Sequence, residues 1–235
     1  MTKAVNLSPR LKAALELVPD CGCVADIGCD HGRLSAALIQ SGKAQRVIAV
    51  DISAPSLAKA RRLVETLGLE AQIELREGDG LRALLPEECD AVLMLGMGGT
   101  LTARLLEVSP IPFAGAKTIV MQPMRGVSDL RLWLYEHGCG IVAERVVKDA
   151  GRLYQVFAAA LTTAPLPEQA DCFELGCVPN TPDTLYLELL NRLIAQSGGR
   201  LKAALGSDGE AYLGERLAAL MKLKTRYTER FGETV

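Results

Sequence analysis

Short apolar runs alternate with amphipathic stretches along most of this chain. Five runs read as strands buried on both faces: about 23–27, Arg46–Asp51, Ile73–Arg76, Cys89–Leu95 and Thr118–Gln122. Between them, apolar positions recur at helical spacing. Leu11, Ala14, Leu15 and Val18 share one face of a short helix, with Ser8 as the expected N-cap and Pro9 as the first helical residue. Leu34 and Leu38 mark a helix over about 32–41. Another runs from Ser53 to Leu67, with Ser53 and Pro55 as start signals and Gly68 as the stop. Val127 to His137 turns Leu130, Leu134 and Trp133 toward the sheet. Trp133 in that place is core or helix surface rather than a platform for stacking a base. Residues 139–147 and 152–161 are two β-rich runs around Lys148-Asp-Ala-Gly-Arg152, which predicts an antiparallel hairpin.

The pattern changes at Thr162-Thr-Ala-Pro-Leu-Pro-Glu, and four prolines between 163 and 182 read as a linker or covering loop. Two long helices follow, over about 182–205 and 208–231. Leu185, Leu189, Leu193 or Ile194, and Leu201 stripe the first; Leu213, Leu217, Leu220, Leu223 and Tyr227 stripe the second. Gly206-Ser-Asp-Gly209 folds them back as an antiparallel pair. Gly198-Gly199 predicts a kink or break in the first helix. The chain thus divides into an α/β domain over 1–162 and, over 163–235, a linker and helical hairpin.

The first strand feeds its helix through Gly28-Cys-Asp-His-Gly32, a turn of the kind that holds nucleotide-like ligands in doubly wound folds. A dinucleotide site wants glycine where this chain has Asp30. A carboxylate there would face the pyrophosphate at short range and repel it. The same carboxylate suits a cation, which argues against NAD and for S-adenosyl-L-methionine (SAM), a ligand with a sulfonium, an ammonium and no phosphate. Asp51 closes the second strand 23 residues after Gly28 (51 − 28), near the spacing of about 20 at which an acid reaches a ribose. Its other reading is a helix-capping acid. Asp79, past the third strand in Glu77-Gly-Asp-Gly80, can accept from an adenine 6-amino group or make an ordinary Asp-Gly turn. Gly96-Met-Gly-Gly99 follows the fourth strand, where a flat ring could approach the backbone, or where the strand turns plainly into a helix.

Composition narrows this further. The 235 residues are 49% apolar, enough for a sizeable core, and no run spans a bilayer. The opening Met1-Thr-Lys-Ala-Val-Asn lacks the layout of a secretory signal, so a cytosolic protein is expected. Seven scattered cysteines and two histidines make no zinc spacing; buried, reduced thiols and no metal are expected. A net charge of −2 excludes a broadly basic, nonspecific nucleic-acid surface but not a local patch. Lys222, Lys224, Arg226 and Arg230 cluster on the last helix, either as a solvated face or as phosphate contacts.

An α/β sheet that closes with an antiparallel edge hairpin has the layout of class I methyltransferases. Leu7-Ser-Pro-Arg-Leu11, Ala25-Asp-Ile-Gly-Cys-Asp-His31, Leu95-Gly-Met-Gly-Gly99 and Met121-Gln-Pro-Met124 resemble the bacterial tRNA (adenine-22-N1)-methyltransferases. The likeness covers the α/β domain, and the helical pair matches a coiled-coil-like C-terminal domain in that family. Met124 stands where the family motif often ends in asparagine. The resemblance implies a Rossmann-like SAM-binding domain and tRNA as partner; the sequence does not fix the oligomeric state, and a monomer is expected. It implies that Asp26, Gly28 and Asp30 line the methionine end of SAM, with Asp51 and Ile52 at the ribose and Asp79 and Gly80 at the adenine. Gly96 would border the cofactor, and Gly98, Gly99, Gln122 and Pro123 the target base. Asp30 becomes the candidate for the negative charge beside the target, or for a base acting on its 6-amino group. His31 orients that acid or the acceptor, or caps the helix. Other acceptors on the same fold, a small molecule or a protein, and a non-catalytic RNA-binding module remain as alternative readings.

Overall fold

The computed structural model describes residues 4–108, 116–161, 173–176 and 178–232. In chain order the elements are α1 (Pro9–Leu17), β1 (Cys21–Ile27), α2 (Arg33–Gln40), β2 (Ala44–Asp51), α3 (Ala54–Leu67), β3 (Ile73–Glu77), a 3₁₀ turn (Gly80–Ala83), β4 (Ala91–Met97) and α4 (Gly99–Glu107). They continue with β5 (Thr118–Pro123), α5 (Val127–Glu136), β6 (Cys139–Asp149), β7 (Arg152–Leu161), α6 (Thr184–Ala203) and α7 (Glu210–Phe231). The described strands form one sheet in the order β3-β2-β1-β4-β5-β7-β6. The first five are parallel; β7 runs antiparallel to β5, and β6 to β7. Strand order reverses between β1 and β4, which opens a crevice at their carboxyl ends.

Alternate strand residues fill two cores. Val24, Val47, Ala49, Leu93 and Val120 pack with Ala14, Leu34, Leu38 and Leu57 on one face. Ala25, Ile48, Val50, Val92 and Met121 pack with Leu106, Leu130 and Leu134 on the other. Coverage on both faces is why these strands read as continuous apolar runs. A third cluster, Leu189, Leu190, Leu220, Leu223 and Tyr227, joins α6 to α7 and reaches Val146 and Leu153 of the hairpin. No helix among the described residues is long and apolar enough to cross a membrane.

Several local expectations hold. Ser53 caps α3 by accepting from Ser56 N at 3.3 Å, and Gly68 ends it in the left-handed region. Others are corrected. Ser8 occupies the N-cap position of α1 but its hydroxyl makes no cap bond and is buried without a hydrogen-bond partner among the described residues. The hairpin turn is only Ala150-Gly151, both at positive φ, which matches the strand twist and lets β6 run on to Asp149. α6 passes through Gly198 and Gly199 without a break. Each glycine costs about 1 kcal/mol against alanine in a helix, too little to interrupt one docked along its length. Trp133 packs against the core, stacks on His137 and donates to Glu107. The boundary expected at 162 and most of the expected linker lie outside the described residues, as do Cys172 and Cys177.

Candidate active site

Parallel register brings the carboxyl ends of β3, β2, β1, β4 and β5 side by side, and the singled-out acids lie along that edge. β1 ends in a turn that carries three residues of positive φ: Gly28, Asp30 and Gly32. Gly28 N and Cys29 N both donate to Val50 O of β2, at 2.8 and 3.0 Å. A Cβ on Gly32 would press on the Cβ of Ala60, so the turn sits tight against α3. Asp30 takes a left-handed conformation that costs a non-glycine residue about 1 kcal/mol. Asp51 holds it there: Asp30 N donates to Asp51 Oδ2 at 2.9 Å, while Ser53 N donates to Oδ1 at 2.8 Å. One carboxylate thus ties the β1 turn to the start of α3. Asp51 thus braces the residue that caps α3, and of the about four acceptor sites of its carboxylate two remain.

Asp26 lies one layer deeper, 4% exposed, and accepts from Ser35 Oγ at 2.6 Å. Burial raises its pKa to about 6, with the Asp51 charge adding to the effect. No cation among the described residues pairs with it. His31 Nδ1 stands 2.5 Å from Asp30 Oδ2. The N-cap of α2 is Gly32 with no side-chain cap bond, so His31 serves the acid and does not cap the helix. A cavity of about 390 Å³ opens here, lined by Asp26, Gly28, Asp30, His31 and Gly96 together with Arg10, Arg33 and Met124. Beside it, Ile52 is 72% exposed, an apolar side chain left uncovered next to Asp51.

At the β3 end, Gly78 N donates to Asp51 O at 3.1 Å, which sets Asp79 and Gly80 beside the β2 terminus. Asp79 accepts from Arg82 at 3.1 Å and remains half exposed. Gly80, at φ +59, starts the 3₁₀ turn against Leu105.

The expected acceptor side is corrected in part. Gly98 is the N-cap of α4. Gly99 is buried, donates to Arg125 O at 2.7 Å, and would overlap the Gly126 carbonyl oxygen if it carried a Cβ; its smallness serves packing. Gln122 is 0% exposed and Pro123 is buried, and neither is among the residues that line the cavity. Gln122 Oε1 instead accepts from Arg10 Nη1 at 2.7 Å. The basic cluster is also divided. At 100° per residue, Lys222, Arg226 and Arg230 share one side of α7 and Lys224 lies across it. Arg230 donates to Asn180 at 3.1 Å and lies over the Phe231 ring. None of the four lines the cavity.

Arg10 and Met124 are wall residues that site reasoning from sequence passed over, although both sit in quoted motifs. The available signal was an arginine beside the apolar stripe of the first helix. The five described cysteines are free thiols with pKa values raised by burial, Cys21 to about 11 and Cys89 to about 12, and so are poor nucleophiles.

The family described as a methyltransferase domain matches residues 7–157. The tRNA (adenine(22)-N(1))-methyltransferase of Bacillus subtilis is 34% identical over 155 residues, 66% of this chain and 65% of that protein, so the aligned part spans just under two thirds of the curated relative. The crystal structure of the B. subtilis m1A22 tRNA methyltransferase TrmK superposes with a TM-score of 0.81 at 26% identity, covering 93% of this chain and 99% of that one. A Streptococcus pneumoniae protein described as a tRNA (m1A22) methyltransferase, in complex with SAM, gives 0.79 at 25% identity over 93% and 99%.

Proposed function

Because the chain belongs to the methyltransferase-domain family, we propose that it is a tRNA (adenine-22-N1)-methyltransferase, whose cavity binds SAM and which methylates N1 of an adenine in tRNA, at position 22. The observation that carries this reading is the β1 turn, with a buried, cation-less carboxylate at Asp26 and a second carboxylate at Asp30 facing the same cavity. Those groups fit a ligand with an ammonium and a sulfonium. Asp26, Gly28, Asp30 and Gly96 would hold its methionine end, Asp51 and Ile52 its ribose, Asp79 and Gly80 its adenine. Bound there, SAM supplies an electrophilic methyl group.

The chain's own residues then have limited work to do. Ring N1 of adenine carries an in-plane lone pair and needs no deprotonation to act as nucleophile. Its methylation leaves a cationic base. Asp30 offers the negative charge that stabilises it, or accepts a proton from the 6-amino group, with His31 orienting the carboxylate. The N1 edge is paired in a duplex, so the target must be unpaired or flipped out first. The exposed side chain of Met124 gives an unpaired base apolar surface at the cavity wall. Lys222 and Arg226 on α7 extend the reading to phosphate contacts outside the cavity. Such an enzyme works in the cytoplasm, as a monomer with tRNA.

The test is transfer of labelled methyl from SAM to bulk tRNA from cells lacking the enzyme, followed by mapping of the modified base. Label at N1 of adenine 22 supports the proposal. SAM binding without transfer to tRNA overturns the acceptor and moves the search to small molecules and proteins.

Asp26 gives the reading a pH signature. Its carboxyl is held near pKa 6 in the free protein, and a bound ammonium favours the ionised form. SAM affinity should therefore be flat above about pH 7 and weaken about tenfold per unit below about pH 6. Fold stability runs the other way. The folded state keeps a proton that the unfolded chain has lost, so stability without SAM falls as pH rises from about 4 through 6. Titration calorimetry across pH 5–8 reads the first effect, and Asp26→Asn should flatten the profile.

A further inference from the structure

The helical pair meets the α/β domain through a short segment, residues 173–176, that makes polar contacts in both directions. Glu174 O accepts from Gln155 Nε2 of β7 at 2.8 Å, and the Glu174 carboxylate pairs with Arg216 Nη2 of α7 at 2.6 Å. Gln155 is buried and its Oε1 accepts from Arg131 Nη2 of α5 at 2.9 Å; the same nitrogen donates to Glu144 Oε2 of β6 at 2.7 Å. Arg131 is itself buried, with Cζ 4.6 Å from the centre of the Phe157 ring. Gly176 lies against the Glu144 carboxylate, which a Cβ there would overlap, and its carbonyl accepts from Tyr186 Oη at 3.0 Å. A chain of buried polar groups thus runs from α5, across β6 and β7, through residue 174 to α7.

The ion pair at the end of that chain lies beyond the apolar cluster that seats the helices. Tyr186, Leu190, Leu220 and Tyr227 pack where the helical pair meets Val146 and Leu153 of the hairpin. Arg216 lies four residues before Leu220, about 6 Å further along α7 toward the turn at 206–209. A contact there stops the helices from pivoting on the cluster. Arg216 is 19% exposed and Glu174 13%, so water screens the pair little. Nε of Arg216 and Nε of Arg131 are buried without a hydrogen-bond partner among the described residues. An apolar replacement of a buried ion pair is often as stable, and packing for strength alone would leave no such orphaned groups. What the ion pair adds is direction.

We propose that Glu174 and Arg216 are positioning residues for methyl transfer: their ion pair fixes the angle at which the helices stand on the sheet edge, so that an RNA held on α7 presents its base to the cavity. This rests on the tRNA reading of the chain, with phosphate contacts on α7. Neither residue lines the cavity. The offset between the grip on the RNA and the reacting atom is therefore set by the joint between sheet and helices. A joint that pivots spreads the held base over many positions, few of which place N1 against the methyl group. Arg216 as a direct phosphate contact is disfavoured, because its guanidinium is largely buried and already paired. Lys222 and Arg226 point about 120° and 80° away from it, so the side of α7 that carries them does not face Glu174. Another ion pair across the joint, Lys148 with Glu188 of α6 at 3.0 Å, has side chains 47% and 38% exposed and is worth little in water.

The experiment measures single-turnover methyl transfer at saturating SAM and excess enzyme, together with Kd for SAM and for tRNA. Glu174→Leu and Arg216→Met should each lower the rate at saturating tRNA by about tenfold to a hundredfold, the cost of a misplaced reactant, and leave both Kd values within about threefold. Combined, the two losses should not multiply, since either change alone breaks the pair. The combined variant also leaves no unpaired buried charge, so its Tm should stay within a few degrees of the unaltered protein while its rate stays low. Exchange of the charges, Glu174→Arg with Arg216→Glu, should recover part of the rate. Lys148→Ala, on the exposed pair, should change the rate less than about threefold. A combined variant that reacts at the unaltered rate would overturn the proposal and leave the pair a purely structural contact. Weaker tRNA binding in Arg216→Met with none in Glu174→Leu would overturn it in favour of a phosphate contact. Absence of transfer by the unaltered protein removes the tRNA reading and the proposal together, whereas transfer that is indifferent to the pair removes the proposal alone.

Discussion

Asp30→Asn is expected to lower kcat for methyl transfer to tRNA by a factor of about 10² to 10³, while Kd for SAM rises no more than about tenfold. Asparagine is the informative replacement because the position has a φ of +49°. Asn tolerates that conformation, so the turn and the backbone bond from residue 30 to Asp51 Oδ2 survive. Alanine would add backbone strain and blur the chemistry with the fold. What Asn removes is the charge at 2.5 Å from His31 Nδ1, on the cavity wall where the new cationic base would form. The affinity change is smaller because Asp26 still lines the cavity. Single-turnover rates at saturating SAM and excess enzyme separate the two quantities. A SAM-saturated Asp30→Asn enzyme that reacts within about threefold of the unaltered one would remove Asp30 from the chemistry. His31→Ala should lose less, about tenfold, if its part is to orient the acid.

The residues that sequence reasoning found and missed differ in how far their partners lie along the chain. The five parallel strands, the Gly28–Gly32 turn and Asp51 could be read because each depends on a local pattern. Two-face burial gives an apolar run, a turn demands glycine or aspartate at positive φ, and the length of a βαβ unit fixes where the second strand ends. Arg10 could not be read that way. Its partner Gln122 is 112 residues away, and only the sheet order β1-β4-β5 brings α1 over that strand end. Gln122 enters the sequence reading only through the family resemblance, as a residue bordering the target base. It is buried because α1 and the β6–β7 hairpin close over β5, which is a tertiary fact. The C-terminal basic residues divide for a simpler reason. Closeness in sequence is not closeness in space on a helix, which turns Lys224 about 200° from Lys222 while Arg226 and Arg230 stay on the Lys222 side.

Asp51→Ala should weaken SAM binding by about a hundredfold or more and also slow turnover once SAM is saturating. The affinity loss follows from removing an anionic acceptor for two ribose hydroxyls, each such bond being worth roughly 1.5–3 kcal/mol. The turnover loss has a different origin. Asp51 accepts from the backbone of Asp30 and from that of Ser53, so its removal frees both the β1 turn and the first turn of α3. Asp30 then loses the backbone bond that holds it in its left-handed conformation. Two backbone amides also lose a carboxylate partner, and Tm should fall by a few degrees, as for loss of an ordinary cap. Affinity that stays within about threefold would confine Asp51 to bracing the turn and discard the ribose role. The two roles can be separated further by combining variants. If Asp51 acts on turnover only by placing residue 30, then adding Asp51→Ala to Asp30→Asn should cost little more in kcat, yet nearly its full factor in SAM affinity. Multiplicative losses in kcat would instead mean that Asp51 contributes to the reaction by a route that does not pass through Asp30.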